Sequence, residues 1–132
     1  MSHTADTRLK VEGDTLRKLF SAALGGMAEV IKPGLCRTRG VEDFVQEITI
    51  SSTNQTTLLI DFLSEILTRS HEEKVVFCSA EFLEFDVASL KAKIFGAKTE
   101  GFDEDIKAVT YHEAQIMKNK KGNYETTIVF DI

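Results

Sequence analysis

The chain alternates between two hydrophobic periods, and the points where the period switches divide it into elements. Leu9 and Val11 share one face of a first strand over residues 4–12, which Gly13 ends. Asp14 is placed to cap a helix. In that helix Leu16, Leu19, Phe20, Ala23, Met27 and Val30 form a single apolar stripe. Pro33-Gly34 stops it, and residues 35–43 carry no period, which predicts a loop. Period two returns over residues 44–51, with Ile48 and Ile50 alternating against Glu47, Thr49 and Ser51. Ser52, Thr53 or Asn54 caps a second helix striped by Leu58, Leu59, Phe62, Leu63, Ile66 and Leu67, with Asp61 and Glu65 on its polar side. Residues 70–74 close that helix. Strands are then predicted over residues 75–85, 90–95 and 107–112, the last with Val109 and Tyr111 on one face. A hairpin follows from residue 114 through Lys120-Lys121-Gly122-Asn123 to the closing strand at 124–132. Two helices with one apolar face each, set among six or seven antiparallel strands, predict an α+β fold in one domain over residues 1–132. Both helices are expected on one side of the sheet.

Composition narrows the function classes. A chain of 132 residues can bury roughly two-thirds of its unfolded surface, enough for a normal core. Sixteen basic against twenty-one acidic side chains leave a net charge of −5, and the densest basic group, Lys118, Lys120 and Lys121, flanks a turn. An acidic chain with no basic stripe is poorly suited to phosphate-driven binding of RNA or DNA, so any work on nucleic acid is expected to run through a partner. Cys36 and Cys78 show no CxxC spacing and are expected to be reduced, as in a cytosolic protein. No apolar run approaches 18 residues, and Met1-Ser2-His3 opens without a basic or apolar leader. A cytoplasmic protein with neither signal peptide nor membrane span is the expectation.

Most polar clusters read as ordinary structure. Gly25-Gly26 lies inside the first helical pattern, so it signals close packing or a kink rather than a phosphate loop. His3, His71 and His112 lack zinc-ligand spacing, and Glu100, Asp103, Glu104 and Asp105 lack the EF-hand pattern. Tyr111 is expected to point inward and His112 outward. The two chain ends are different. Asp131 stands one residue from the α-carboxylate of Ile132, where the chain is expected to end without a tail. Asp6 adds a third oxygen group if the first and last segments pair. Three converging carboxylates repel one another and suit a hard divalent cation; two solvated strand ends are the plainer alternative.

Five blocks carry a resemblance to a known family. They are His3-Thr4-Ala5-Asp6, Leu19-Phe20 with Ala23 and Gly26-Met27, Phe62-Leu63-Ser64-Glu65-Ile66-Leu67, Lys107-Ala108-Val109-Thr110-Tyr111-His112, and Phe130-Asp131-Ile132. In order and spacing the chain resembles the archease family over essentially its whole length. The resemblance implies an accessory protein, not an enzyme. Its partner would be the tRNA-splicing RNA ligase that joins 2′,3′-cyclic-phosphate or 3′-phosphate ends to 5′-hydroxyl ends. The accessory protein would promote ligase guanylylation and multiple turnover, with RNA contacted only through the ligase. It further implies a divalent cation, calcium or else magnesium or manganese, on Asp6, Asp131 and the backbone or terminal oxygens of Ile132. Tyr111 and His112 are candidate surface contributors. Where many relatives carry a small apolar pair after the Asp, this chain has Thr7-Arg8, and Arg8 is expected to pair with Asp6 or to reach a partner's anion. Two other classes stay open: a stand-alone metal-dependent hydrolase or nucleotide-processing enzyme, and a calcium-stapled binding module.

Overall fold

The computed structural model describes residues 6–39 and 43–132. The elements run β1 (Asp6–Gly13), α1 (Leu16–Ile31), α2 (Leu35–Arg39), β2 (Phe44–Ser51), α3 (Gln55–Glu73), β3 (Val75–Phe85), β4 (Ser89–Lys98), β5 (Ala108–Thr110), β6 (Met117–Lys118) and β7 (Tyr124–Asp131). The class is α+β, as the periodicity predicts. The strands, however, form two antiparallel sheets rather than one. The first has the order β1-β7-β5, with β6 also on β7, and the second has the order β2-β4-β3. Alternation specifies which face of a strand is buried, not which strand it pairs with, so the partition was invisible in the pattern.

Both long helices form where their stripes predict. Thr15, not Asp14, caps α1: its Oγ1 accepts from the Lys18 N–H at 3.1 Å, while Asp14 pairs with the Lys18 ammonium at 3.3 Å. A cap side chain accepts from the amide two or three residues on, and Thr15, directly before Leu16, has that place. Asn54 caps α3 in a reciprocal box. It accepts from the Thr57 N–H at 3.0 Å and donates its own N–H to Thr57 Oγ1 at 3.2 Å.

One core draws on every layer. Leu19, Phe20, Ala23, Leu24 and Met27 of α1 meet Leu58, Leu59, Phe62, Leu63 and Ile66 of α3. Ile48, Phe77, Ile94, Ile128 and Phe130 supply the sheet faces. Phe20 sits 5.8 Å from Phe62 and 5.0 Å from Phe85, centroid to centroid, distances at which aromatic edges and faces attract. The helices pack on strands of both sheets, α1 against β1 and β3 and α3 against β3 and β5.

Two glycines permit this closeness. A Cβ on Gly13 would stand 2.5 Å from the Leu19 nitrogen, backbone that cannot yield. One on Gly26 would collide with the Leu9 side chain, so the Gly-Gly pair marks close packing at its second member. Gly25 faces open space.

Two local expectations are corrected. Residues 35–39 form α2, a short helical turn, instead of a loop. Cys36 and Cys78 are joined in a disulfide, Cα atoms 5.6 Å apart, instead of being reduced thiols. The cause of the second lies in the first, because α2 packs against β3 and carries Cys36 onto Cys78.

Gly13→Ala is expected to cost about 1–3 kcal/mol by overpacking, whereas Gly25→Ala should stabilise by about 0.5–1 kcal/mol as an interior helix substitution. Urea unfolding of the two variants checks both signs. Cys36→Ser should cost about 2–4 kcal/mol, and the unfolded native chain should expose no reactive thiol until a reductant is added.

Candidate metal centre at the chain ends

Alternation along β1 sends Val11 into the core and leaves Asp6, Arg8, Lys10 and Glu12 on the solvent side. The partner strand arrives in unbroken register, from Asp6 opposite Asp131 to Gly13 opposite Tyr124. Residues directly opposed in an antiparallel pair share a face, with Cβ atoms about 4.5–5.5 Å apart. The first and last segments therefore do pair, and the pairing puts the Asp6 and Asp131 side chains opposite one another on one face. On the other flank of β7, Asp131 faces Ala108, whose lone methyl takes little of the space above it. The Lys107 N–H donates to the Asp131 carbonyl at 2.7 Å, which ties down the end of β7. Ile132 follows directly and packs partly buried against the core. His3, Thr4 and Ala5 lie outside the described residues.

Arg8 holds this corner together. Its Nη1 donates to Asp6 Oδ1 at 3.0 Å. Its Nε and Nη2 both reach Glu113 Oε2, at 2.8 and 2.7 Å. Of the two roles expected for Arg8, the structure has the pairing with Asp6 and adds a second carboxylate. Glu113 lies in the turn after β5 with φ of 64°, a left-handed conformation uncommon for a residue with a Cβ. The same Glu113 oxygen stands 3.6 Å from His112 Nε2. The strand expected over residues 107–112 is only Ala108–Thr110, since the chain turns at Tyr111 to enter this hook. Tyr111 is consequently 56% exposed rather than inward. Its hydroxyl donates to Asp61, which also accepts from Ser52 Oγ at 2.5 Å.

Electrostatics follow these contacts. The hydrogen bond from Arg8 holds the Glu113 carboxyl below the usual glutamate value, with the guanidinium charge acting in the same sense. The hydrogen bond to Asp61 pushes the Tyr111 phenol up. Among the described residues no three His, Cys, Asp or Glu side chains cluster as ion ligands. Two side-chain carboxylates, Asp6 and Asp131, stand at the chain ends, and a further oxygen would have to come from Ile132. An all-oxygen set of this kind fits a hard cation such as calcium, with Arg8 already on one of its ligands.

Glu113 and Asp61 are participants that sequence reasoning missed. Nothing in the pattern marks Glu113, because its partner lies 105 residues away. Asp61 is one polar residue among several on α3. A cleft of about 490 Å³ lies elsewhere. Arg17, Phe85 and Tyr124 are among its walls, at the Gly13–Tyr124 end of the β1–β7 pair.

A carboxyl-detected NMR titration should find Glu113 ionising below an ordinary glutamate, and Arg8→Ala should return it to the ordinary range. The sign is fixed: a depressed carboxylate stabilises the fold above its unfolded pKa of about 4.3. That contribution is lost as pH falls through the lower folded value. The Arg8–Glu113 hook should therefore open only under acid.

A sequence profile of the Archease protein family (MTH1598/TM1083) matches residues 1–132. The chain is 31% identical over 143 residues to protein archease of Methanosarcina barkeri, covering 100% of this chain and 93% of that one. It is likewise 31% identical to protein archease of Pyrococcus abyssi, covering 98% and 94%. A crystal structure from Thermotoga maritima, described as an archease and possible chaperone, superposes with a TM-score of 0.65 at 19% identity over the whole of this chain and 94% of that one. It shares the fold. The chain belongs to the archease family.

Proposed function

We propose that this protein is an accessory factor of the tRNA-splicing RNA ligase, the enzyme that joins 2′,3′-cyclic-phosphate or 3′-phosphate ends to 5′-hydroxyl ends. It promotes guanylylation and multiple turnover of that ligase without ligating RNA itself. The observation that carries this reading is family membership across residues 1–132 in a chain whose first and last strands set Asp6 beside Asp131.

Charge supports an indirect role. A net charge of −5 without a basic stripe leaves the handling of RNA phosphates to the ligase. The Thermotoga relative's description as a possible chaperone agrees with action on another protein. Activation of this kind needs contacts that differ between two ligase states, since a factor that binds both equally shifts nothing. Tyr111 and His112, both exposed, are surface groups available for such contacts.

Asp6, Asp131 and the main-chain or terminal oxygens of Ile132 would hold a divalent cation, calcium first and magnesium or manganese otherwise. Bound there, the ion would neutralise the paired carboxylates and staple the two chain ends. The residues do their own part without it: the β1–β7 register fixes the spacing, and Arg8 supplies counter-charge to Asp6. No helix among the described residues is long and apolar enough to cross a membrane. The same reading puts the protein in the cytoplasm, where the Cys36–Cys78 bond would have to withstand reducing thiols.

Guanylylation and multiple-turnover ligation by the cognate ligase should rise on the order of 5- to 150-fold when the protein is added, the span of ordinary allosteric coupling. Asp131→Ala, folded, should lose most of that gain. A folded native protein that leaves the ligase unstimulated would refute the reading, and turnover of RNA or nucleotide by the protein alone would favour a hydrolase.

A further inference from the structure

Arg8 has two seats. Through Nη1 it holds Asp6 at 3.0 Å, and through Nε and Nη2 it holds Glu113 at 2.8 and 2.7 Å. Asp6 and Arg8 are two residues apart on one strand, so both project from the same face. Asp131 stands directly across from Asp6 on that face, and Val129 stands directly across from Arg8, 2% exposed. The guanidinium is thus the built-in counter-charge of the Asp6–Asp131 pair, carried on a stem seated beside apolar surface.

We propose that Arg8 is an internal competitor for the divalent cation, and that Glu113 is the seat that keeps Arg8 from competing fully. The proposal rests on the metal reading of Asp6, Asp131 and Ile132 and adds what sets their affinity. A cation arriving at Asp6 takes the oxygen on which Arg8 Nη1 sits. Arg8 gives up that one contact and keeps both of its bonds to Glu113, so displacement is cheap and needs no movement of the strand. Take Glu113 away and the guanidinium has only Asp6 to pair with, which makes it harder to displace. The left-handed backbone at Glu113, φ 64°, fits this role, because that turn brings the carboxylate back over β1. His112, 3.6 Å from the same Glu113 oxygen, draws on the same seat. The two substitutions therefore act in opposite directions at one site: loss of Arg8 tightens cation binding, and loss of Glu113 loosens it. Charge acting through space gives the same two signs, so the competition itself is read from Glu113→Gln in the Arg8→Leu background, where the loosening should shrink.

The test is calorimetric titration of the full chain with calcium chloride alone, on the native protein, Arg8→Leu, Glu113→Gln and Asp131→Asn. Arg8→Leu keeps the apolar stem and removes the charge. Because the Arg8–Asp6 pair is solvent-exposed, 49% and 39% by side chain, the effect should be modest. Arg8→Leu should bind about three- to tenfold tighter and Glu113→Gln about two- to fivefold weaker. Raising sodium chloride should shrink the gap between native and Arg8→Leu, since screening weakens exposed pairs. Asp131→Asn is the control for the site itself. Calcium binding that depends on Asp131 but is equal in native, Arg8→Leu and Glu113→Gln proteins overturns the competition while leaving the metal reading standing. Absence of Asp131-dependent binding in native and Arg8→Leu proteins overturns both. Should Arg8→Leu fail to fold, Glu113→Gln decides alone, since tighter or unchanged binding there contradicts the proposal.

Discussion

Everything at the candidate site depends on the antiparallel pairing of the first strand with the last. Eight residues of β1 meet eight of β7 without a bulge, across more than a hundred residues of intervening chain. Such a contact is entropically expensive to close, and the core offsets it. Leu9 packs toward Gly26 of α1, Val11 is buried, and Ile128 and Phe130 are fully covered. Because strand side chains have period two, the register that buries these residues also dictates what faces outward. Slipping the pair by one residue would bury Asp6 and Arg8 and expose Leu9 and Val11. The apolar pattern of two strands thus determines that Asp6 and Asp131 meet.

The glycines and the helix cap serve the same joint. Gly13 lets the end of β1 touch the backbone of α1 at Leu19, and Thr15 starts the helix immediately after. The first helix is therefore fastened at the far end of the strand pair, away from the carboxylates. At the near end the fastening is polar: the Lys107 N–H on the Asp131 carbonyl, and Arg8 bridging Asp6 to Glu113. Packing fastens one end of the β1–β7 ribbon, where Glu12 also accepts from Asn119 and Asn123, and paired charges fasten the other.

What was legible in the sequence follows from the range of each interaction. Both long helices and the strands at 44–51 and 75–85 are announced by periodicity that a dozen residues suffice to show. The Asp6–Asp131 pairing was anticipated from the carboxylates near the two strand ends, and the family resemblance named the same residues. The division into two sheets was not, since β4 pairs with β2 and β3 while β7 pairs with β1, β5 and β6, and alternation is silent on partners. The Arg8–Glu113 hook and the Cys36–Cys78 bond each join segments with no local signal, 105 and 42 residues apart. Tyr111 shows the limit of pattern reading inside one segment: alternation sent it inward, but β5 stops at Thr110 and the turn toward Glu113 puts the ring in solvent.

We propose that the paired ends of the chain, and not the acidic loop around residues 100–105, hold the cation. Substoichiometric manganese added to an isotopically labelled sample, followed by amide NMR, tests it most directly, because paramagnetic broadening falls steeply with distance from the ion. Broadening should centre on Asp6, Ala108, Asp131 and Ile132, with the amides of Glu100, Asp103 and Asp105 less affected. Broadening centred on residues 100–105, or spread evenly over the acidic surface, would contradict it.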